Sequence, residues 1–173
     1  MRSRFARVVL LCGAAALTLS CATPSEPAVE RAAPPPDALL WGGLDLALLR
    51  CSPLPSASSS AVVGPQGGVI EVGPHRLVIP AGALSSPVTI TAEAPSSRVN
   101  QVDFGPAGLQ FAVPATLTMS YANCFGAWIP LPRRIAYTTD LLSILEFLTS
   151  VDNLDSRAVS AELDHFSRYA VAW

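Results

Sequence analysis

The sequence contains no lysine, and charged residues make up only 14% of its 173 residues. Three of its arginines, Arg2, Arg4 and Arg7, precede the first apolar run. Residues 22–173 therefore carry eight arginines against thirteen acidic residues, a net charge near −5. Nucleic-acid binders draw most of their affinity from cations that meet phosphates, so this acidic balance argues against a nucleic-acid partner. The 50% hydrophobic content in turn excludes a disordered polyelectrolyte.

Motifs that identify enzymes are also missing. The chain has no G-x-S-x-G elbow, no H-E-x-x-H pair and no P-loop, since the glycine-rich residues 64–68 lack the following Lys-Ser/Thr. His75 and His165 are its only histidines, and residues 152–155 are typical of a hairpin turn because a calcium loop needs more oxygen ligands. We therefore expect no enzyme activity, no cofactor and no metal.

An export signal is present at the N-terminus. The three arginines form a positive region, residues 8–19 form an apolar stretch, and Ser20 and Cys21 follow. This stretch is too short for a spanning helix, which needs about twenty apolar residues. The sequence therefore predicts a signal peptide over residues 1–20.

Residues 17–21, Leu-Thr-Leu-Ser-Cys, resemble the lipobox of bacterial lipoproteins, although Thr18 and Leu19 depart from its usual pattern. The resemblance implies that Cys21 is lipidated and becomes the mature N-terminus. The chain would then be exported to the cell envelope, on the periplasmic or outer-membrane face, and held at a membrane through its lipid. The alternative is an ordinary signal peptide in which Cys21 is incidental.

Residues 21–61 are predicted to be a lipid-anchored tether. The stretch after Cys21 is rich in proline and cannot bury a core, and residues 52–60 are a second, Ser- and Pro-rich linker. Residues 39–49 are strongly apolar and are expected to be flexible or to form a short helix, on the bilayer or on the domain. Gly42 and Gly43 make an isolated helix poor, which favours docking on the domain.

Two cysteines remain after Cys12 leaves with the signal peptide and Cys21 takes the lipid. In an oxidising compartment Cys51 and Cys124 are expected to form a disulfide, which would staple the apolar segment to the domain. Free buried thiols or a metal pair are the alternatives, although two cysteines without C-x-x-C spacing make no zinc site.

From residue 62 onward apolar residues recur with a period of two, which predicts strands with one buried face. Residues 141–148 would also fit a helix, but their surroundings favour a strand. The pattern predicts an all-β, antiparallel β-sandwich over residues 62–173. The expected strands are residues 69–72, 75–79, 88–94, 116–121, 134–138, 144–149, 158–164 and 166–173.

Four segments in order resemble the ZU-five domain, the β-sandwich module of ankyrins, zonula occludens proteins and netrin receptors. They are GPQGGVIEV at 64–72, LVIPAGAL at 77–84, FGPAGLQF at 104–111 and VPATLTM at 113–119. The resemblance implies a β-sandwich that binds protein partners. Neither ankyrin repeats nor a death domain adjoins it here, so the identity of the partner does not carry over.

His165-Phe166-Ser167 reproduces the tripeptide at which some death-domain proteins with ZU-five modules cleave themselves. On an extended strand His165 and Ser167 point to one face. The His165 imidazole would take the proton of the Ser167 hydroxyl, whose oxygen would attack the Phe166 carbonyl and give an ester that water opens. The alternative is a purely structural strand in which Tyr169, Val171 and Trp173 face the core. His165 and Ser167 would then form a hydrogen-bonded pair at its edge.

We therefore expect a non-enzymatic, membrane-anchored structural or binding module whose partner is an unknown envelope protein or glycan. A self-cleaving domain cut between Phe166 and Ser167 is the first alternative. A carbohydrate- or peptide-binding module that uses Trp128 is the second, although Trp41, Trp128 and Trp173 are more typical of a core or a rim.

Overall fold

The structure is a computed structural model that describes residues 47–173. The predicted signal peptide, the lipidation site Cys21, Trp41 and the tether up to residue 46 lie outside the described residues. The strands are β1 Ala57–Val63, β2 Gly68–Val72, β3 His75–Ile79, β4 Val88–Ala94, β5 Gln101–Gly105, β6 Gln110–Ser120, β7 Arg134–Thr138, β8 Ile144–Phe147, β9 Ser150–Asn153, β10 Ala158–His165 and β11 Arg168–Ala172.

These strands form two antiparallel sheets, which confirms the predicted all-β sandwich. One sheet has six strands in the order β1-β4-β5-β11-β7-β8, and the other has five in the order β2-β3-β6-β10-β9. Every neighbouring pair is antiparallel. Residues 47–173 include no helix with the length and apolar character needed to cross a membrane.

Most strands lie where the period of two predicts them, and β7 has the predicted bounds. The predicted linker at residues 52–60 is wrong from Ala57 onward, because β1 pairs with β4 from Ala57↔Ala94 to Val63↔Val88. β1 lies at the edge of its sheet, where only one side of the strand is paired and its serines face solvent. The strand predicted at 144–149 is present as β8 but ends at Phe147, and β9, which follows it in the other sheet, was not predicted.

The core lies between the two sheets and consists of the apolar residues of the alternating pattern. Ile90 from the six-stranded sheet and Leu117 and Met119 from the five-stranded sheet are fully buried. Central strand β11 is buried on both faces, because Leu48 packs with Ala136, Ala170 and Ala172 in a second, smaller cluster. The last residues of the apolar segment 39–49 therefore pack on the domain.

Strand pairing divides the loops between two ends of the sandwich. Residues 47–56, 95–100, 121–133 and 154–157 lie at one end, which we call the entry end because the described chain begins there. Residues 64–67, 80–87, 106–109 and 139–143 lie at the opposite end. At the opposite end Pro80 and Gly82 form the predicted turn, in which the Ala83 amide donates to the Pro80 carbonyl (3.2 Å).

Candidate functional site

The predicted disulfide is confirmed at the entry end, where Cys51 and Cys124 are bonded with an S–S distance of 2.00 Å. Two backbone hydrogen bonds flank it, from the Phe125 amide to the Arg50 carbonyl (2.7 Å) and from the Ser52 amide to the Asn123 carbonyl (2.9 Å). The bond therefore fixes the chain ahead of β1 to residues 121–133, which we call the β6–β7 loop.

The last residue of the β6–β7 loop, Arg133, has a fully buried side chain that contacts the rest of the loop. Its guanidinium donates to the carbonyls of Gly126, Leu131 and, at 2.6 Å, Ile129. The same group lies 4.4 Å from the centre of the Trp173 ring. A buried cation is stable only with such partners, and these contacts tie three carbonyls of the loop to one side chain.

Asp152 ties the base of the loop to β9. Its two carboxylate oxygens accept from the Arg133 amide (2.9 Å) and from the Tyr121 hydroxyl (2.6 Å). Burial, together with this hydrogen bond to a carboxylate, raises the pKa of Tyr121 to about 12. Tyr121 therefore remains a neutral donor across the physiological pH range.

The outer surface of the β6–β7 loop is apolar. Phe125 is 66% exposed and Trp128 is 81% exposed, and Leu131 is exposed beside them in sequence. Phe125 also lines a shallow groove together with the exposed Arg50 and Arg98. Single exposed apolar residues are ordinary, but three on one braced loop form a candidate contact surface.

A second apolar surface lies at the side of the sandwich, where β8 ends one sheet and β9 ends the other. Leu145 and Phe147 of β8 and Val151 of β9 are exposed. Between residues 141 and 153 the only charged side chains are Glu146 and Asp152, and proline is absent. Natural edges are usually protected by lysine, proline or inward-pointing charge, so this edge is unusually open to another strand.

The His-Phe-Ser tripeptide lies at the opposite end, between strands. β10 ends at His165 in the five-stranded sheet, and β11 begins at Arg168 in the six-stranded sheet. The expectation that residues 165–167 belong to one extended strand, with His165 and Ser167 on one face, is therefore wrong. The physical reason is Phe166, which is buried between the sheets with its ring centre 5.2 Å from that of Phe104.

The groups around this crossover only partly match those of an acyl shift. The Gly108 amide donates to the Phe166 carbonyl (3.0 Å), and the His165 Nδ1 lies 3.5 Å from the same oxygen. In residues 47–173, however, no hydrogen bond joins the Ser167 hydroxyl to His165, and the Ser167 carbonyl accepts from the Phe104 amide (3.1 Å). One carbonyl donor is therefore in position, whereas the nucleophile is not paired with a base.

The remaining sequence candidates are dispersed. His75 lies at the entry end and His165 at the opposite end, and no group of three metal-ligating side chains occurs in the described part of the chain. His75 is buried and its Nδ1 accepts from the Ser120 amide (3.2 Å), and burial lowers its pKa to about 4. Trp128 is exposed, whereas Trp173 is partly buried against Arg133.

Sequence reasoning missed Arg133, because Pro132-Arg133-Arg134 has the composition of a solvated charged turn. Proline at 130 and 132, which restricts the backbone, was the available signal of a fixed loop.

Compared with models of known protein families, the chain matches none of them, and no curated protein is significantly similar to it.

Proposed function

We propose that this chain is an exported lipoprotein, anchored in the cell envelope through Cys21, whose ZU-five-like β-sandwich binds a protein partner and is not an enzyme. The observation that carries the proposal is the exposed edge formed by β8 and β9. It offers unpaired backbone groups beside apolar side chains, the combination by which a sheet accepts an added strand.

Strand addition accounts for both features of this edge. Backbone hydrogen bonds from a partner strand would supply affinity, while alternate side chains such as Leu145 and Phe147 would supply specificity. The opposite edge of the same sheet, β1, carries Ser58, Ser59 and Ser60, and Val62 is its one exposed large apolar side chain. We therefore assign the partner to the β8–β9 edge.

Site-specific photocrosslinking in cells tests this assignment. A benzoyl-phenylalanine at Leu145 is expected to give one discrete adduct with an envelope protein, whereas the same group at Val62 on β1, which is 67% exposed, gives none. Phe147→Asp is expected to abolish the adduct, because a charge on the same edge strand as Leu145 opposes pairing. Equal adducts at both positions, or an adduct that survives Phe147→Asp, would refute the proposal.

The anchor is tested separately. Cys21→Ala is expected to stop fatty-acid labelling and to move the protein from the detergent phase into the soluble fraction, because the thiol is the predicted acceptor of the lipid. A variant that still takes up fatty acid and stays with membranes would show that the lipoprotein interpretation is wrong.

Self-processing between Phe166 and Ser167 is the second candidate, and the Gly108 amide on the Phe166 carbonyl favours it. We expect an intact chain instead, since the Ser167 hydroxyl has no base paired with it among the described residues. Intact mass followed over days at neutral pH distinguishes the two functions. A fragment that ends at Phe166 and disappears in Ser167→Ala would establish self-processing.

A further inference from the structure

Charge is distributed unevenly between the two ends of the sandwich. Residues 47–173 contain seven arginines, and five of them lie at the entry end: Arg50, Arg98, Arg133, Arg134 and Arg157. Asp155 is the acidic side chain of the entry-end loops, and Glu71, Glu93 and Asp152 each lie one residue from a strand end there. Glu71 pairs with Arg76, and Asp152 already accepts from the Arg133 amide and the Tyr121 hydroxyl.

The exposed arginines of the entry end are available to an external anion. The ion pairs among the described residues are Arg76 with Glu71, and Arg168 with both Asp103 and Asp140. None of them includes Arg50, Arg98 or Arg157. The loops of the opposite end carry Asp140 and no arginine, whereas the loops of the entry end carry four arginines and Asp155, so cations are concentrated in the loops of one end.

The most exposed aromatic residues project from this cationic end. Trp128 and Phe125 extend from the β6–β7 loop, and Phe125 shares a groove with Arg50 and Arg98. The disulfide and the buried Arg133 brace the loop, so little conformational freedom is lost when its tip is immobilised. Exposed aromatic side chains and arginines on one surface are the composition that favours the interface between lipid headgroups and acyl chains.

The chain also enters the domain at this end. The Trp173 amide donates to the Ala47 carbonyl (2.9 Å), and the residues that precede Ala47 continue toward the N-terminus from that point. The predicted anchor at Cys21 is therefore connected to the domain through its entry end.

We propose that the entry end docks on an anionic phospholipid bilayer, with Trp128 and Phe125 inserted at headgroup level and the exposed arginines against lipid phosphates. This orientation rests on the membrane anchor of the proposed function, whereas the loop's own affinity for lipid does not. It leaves the β8–β9 edge at the side of the domain free for a protein partner.

Photoactivated lipid labelling tests the docking directly. The full chain is reconstituted into phosphatidylcholine vesicles with or without phosphatidylglycerol, doped with a phospholipid that carries a diazirine near its headgroup. Labelled peptides are then mapped by mass spectrometry. With phosphatidylglycerol present we expect label in residues 121–133, at least about fivefold above that in residues 80–87 and 139–143.

Matched variants separate the contributions. Trp128→Ser is expected to remove most of the label from the loop, while Leu141→Ser, at a 90% exposed position of the opposite end, leaves it unchanged. Arg98→Gln is expected to reduce the phosphatidylglycerol-dependent gain up to about fivefold, the effect of one cation near an anionic surface. All three positions are exposed, so the fold is retained.

Equal labelling of both ends, no gain from phosphatidylglycerol, or label that is insensitive to Trp128→Ser would each overturn the docking. The intact mass of the same sample reports whether Cys21 carries lipid. A labelled loop on a chain without lipid at Cys21 refutes the anchor alone, whereas a lipidated chain with an unlabelled loop refutes the docking alone.

Discussion

Removal of the Cys51–Cys124 disulfide is expected to reduce stability substantially, because the bond closes a loop with a sequence separation of 73 residues. In the chain-entropy relation a loop of this length lowers the unfolded-state entropy by an amount equivalent to about 4 kcal/mol at 25 °C. The double variant Cys51→Ala, Cys124→Ala should therefore lose about that much free energy of unfolding. Both cysteines are buried, and alanine is chosen because an apolar side chain leaves no unsatisfied polar group there.

Urea unfolding followed by tryptophan fluorescence measures the difference, with and without a thiol reductant. We expect the reductant to lower the free energy of unfolding of the natural chain by about 4 kcal/mol and to leave the double variant unchanged. A loss below about 1 kcal/mol would show that the staple does not limit the unfolded chain in the way this reasoning requires.

Three further changes test other parts of the fold. His75 is buried and neutral in the folded protein, whereas in the unfolded chain it takes up a proton below pH 6.5. The free energy of unfolding should therefore be complete above pH 6.5 and fall by up to about 3 kcal/mol as the pH drops toward 4. Urea titrations of His75→Gln should lack this pH dependence, and an unchanged dependence contradicts the assignment. Arg133→Met should cost about 3 kcal/mol in urea unfolding because three loop carbonyls lose their donor, while Arg98→Met on the surface should change stability by less than about 0.5 kcal/mol; similar losses would refute the bracing role. Gly67→Ala and Gly82→Ala both place a side chain at positive φ, but only at Gly67 does the added carbon meet a backbone oxygen, that of Ile79; the Gly67 variant should therefore melt at the lower temperature, and equal melting would contradict the steric argument.

The sequence predicts the sandwich well where one face is buried and the other is exposed. β4 alternates Ile90 and Ala92 with threonines, and its bounds match the expectation. The alternating pattern does not reveal β1, because the serines of this edge strand have the composition of a linker. Pairing with β4 stabilises that strand, and pairing is a long-range property that composition does not report.

The candidate site was less predictable, because its main features depend on tertiary contacts. The disulfide follows from the count of cysteines and the predicted export signal, so it was accessible to sequence reasoning. The burial of Arg133 depends on carbonyls that converge only when the loop folds, and the chain crossover at Phe166 depends on a pocket between the two sheets. Periodicity describes local burial and contains neither kind of information.

The intact mass of the protein purified from its natural membrane fraction tests the central claim most directly, because one spectrum reports lipid, disulfide and cleavage together. The account predicts a chain that begins at Cys21, carries a diacylglyceryl group and an acyl chain, lacks two hydrogens because Cys51 and Cys124 are joined, and extends through Trp173. An unmodified Cys21, or a chain that ends at Phe166, would contradict it.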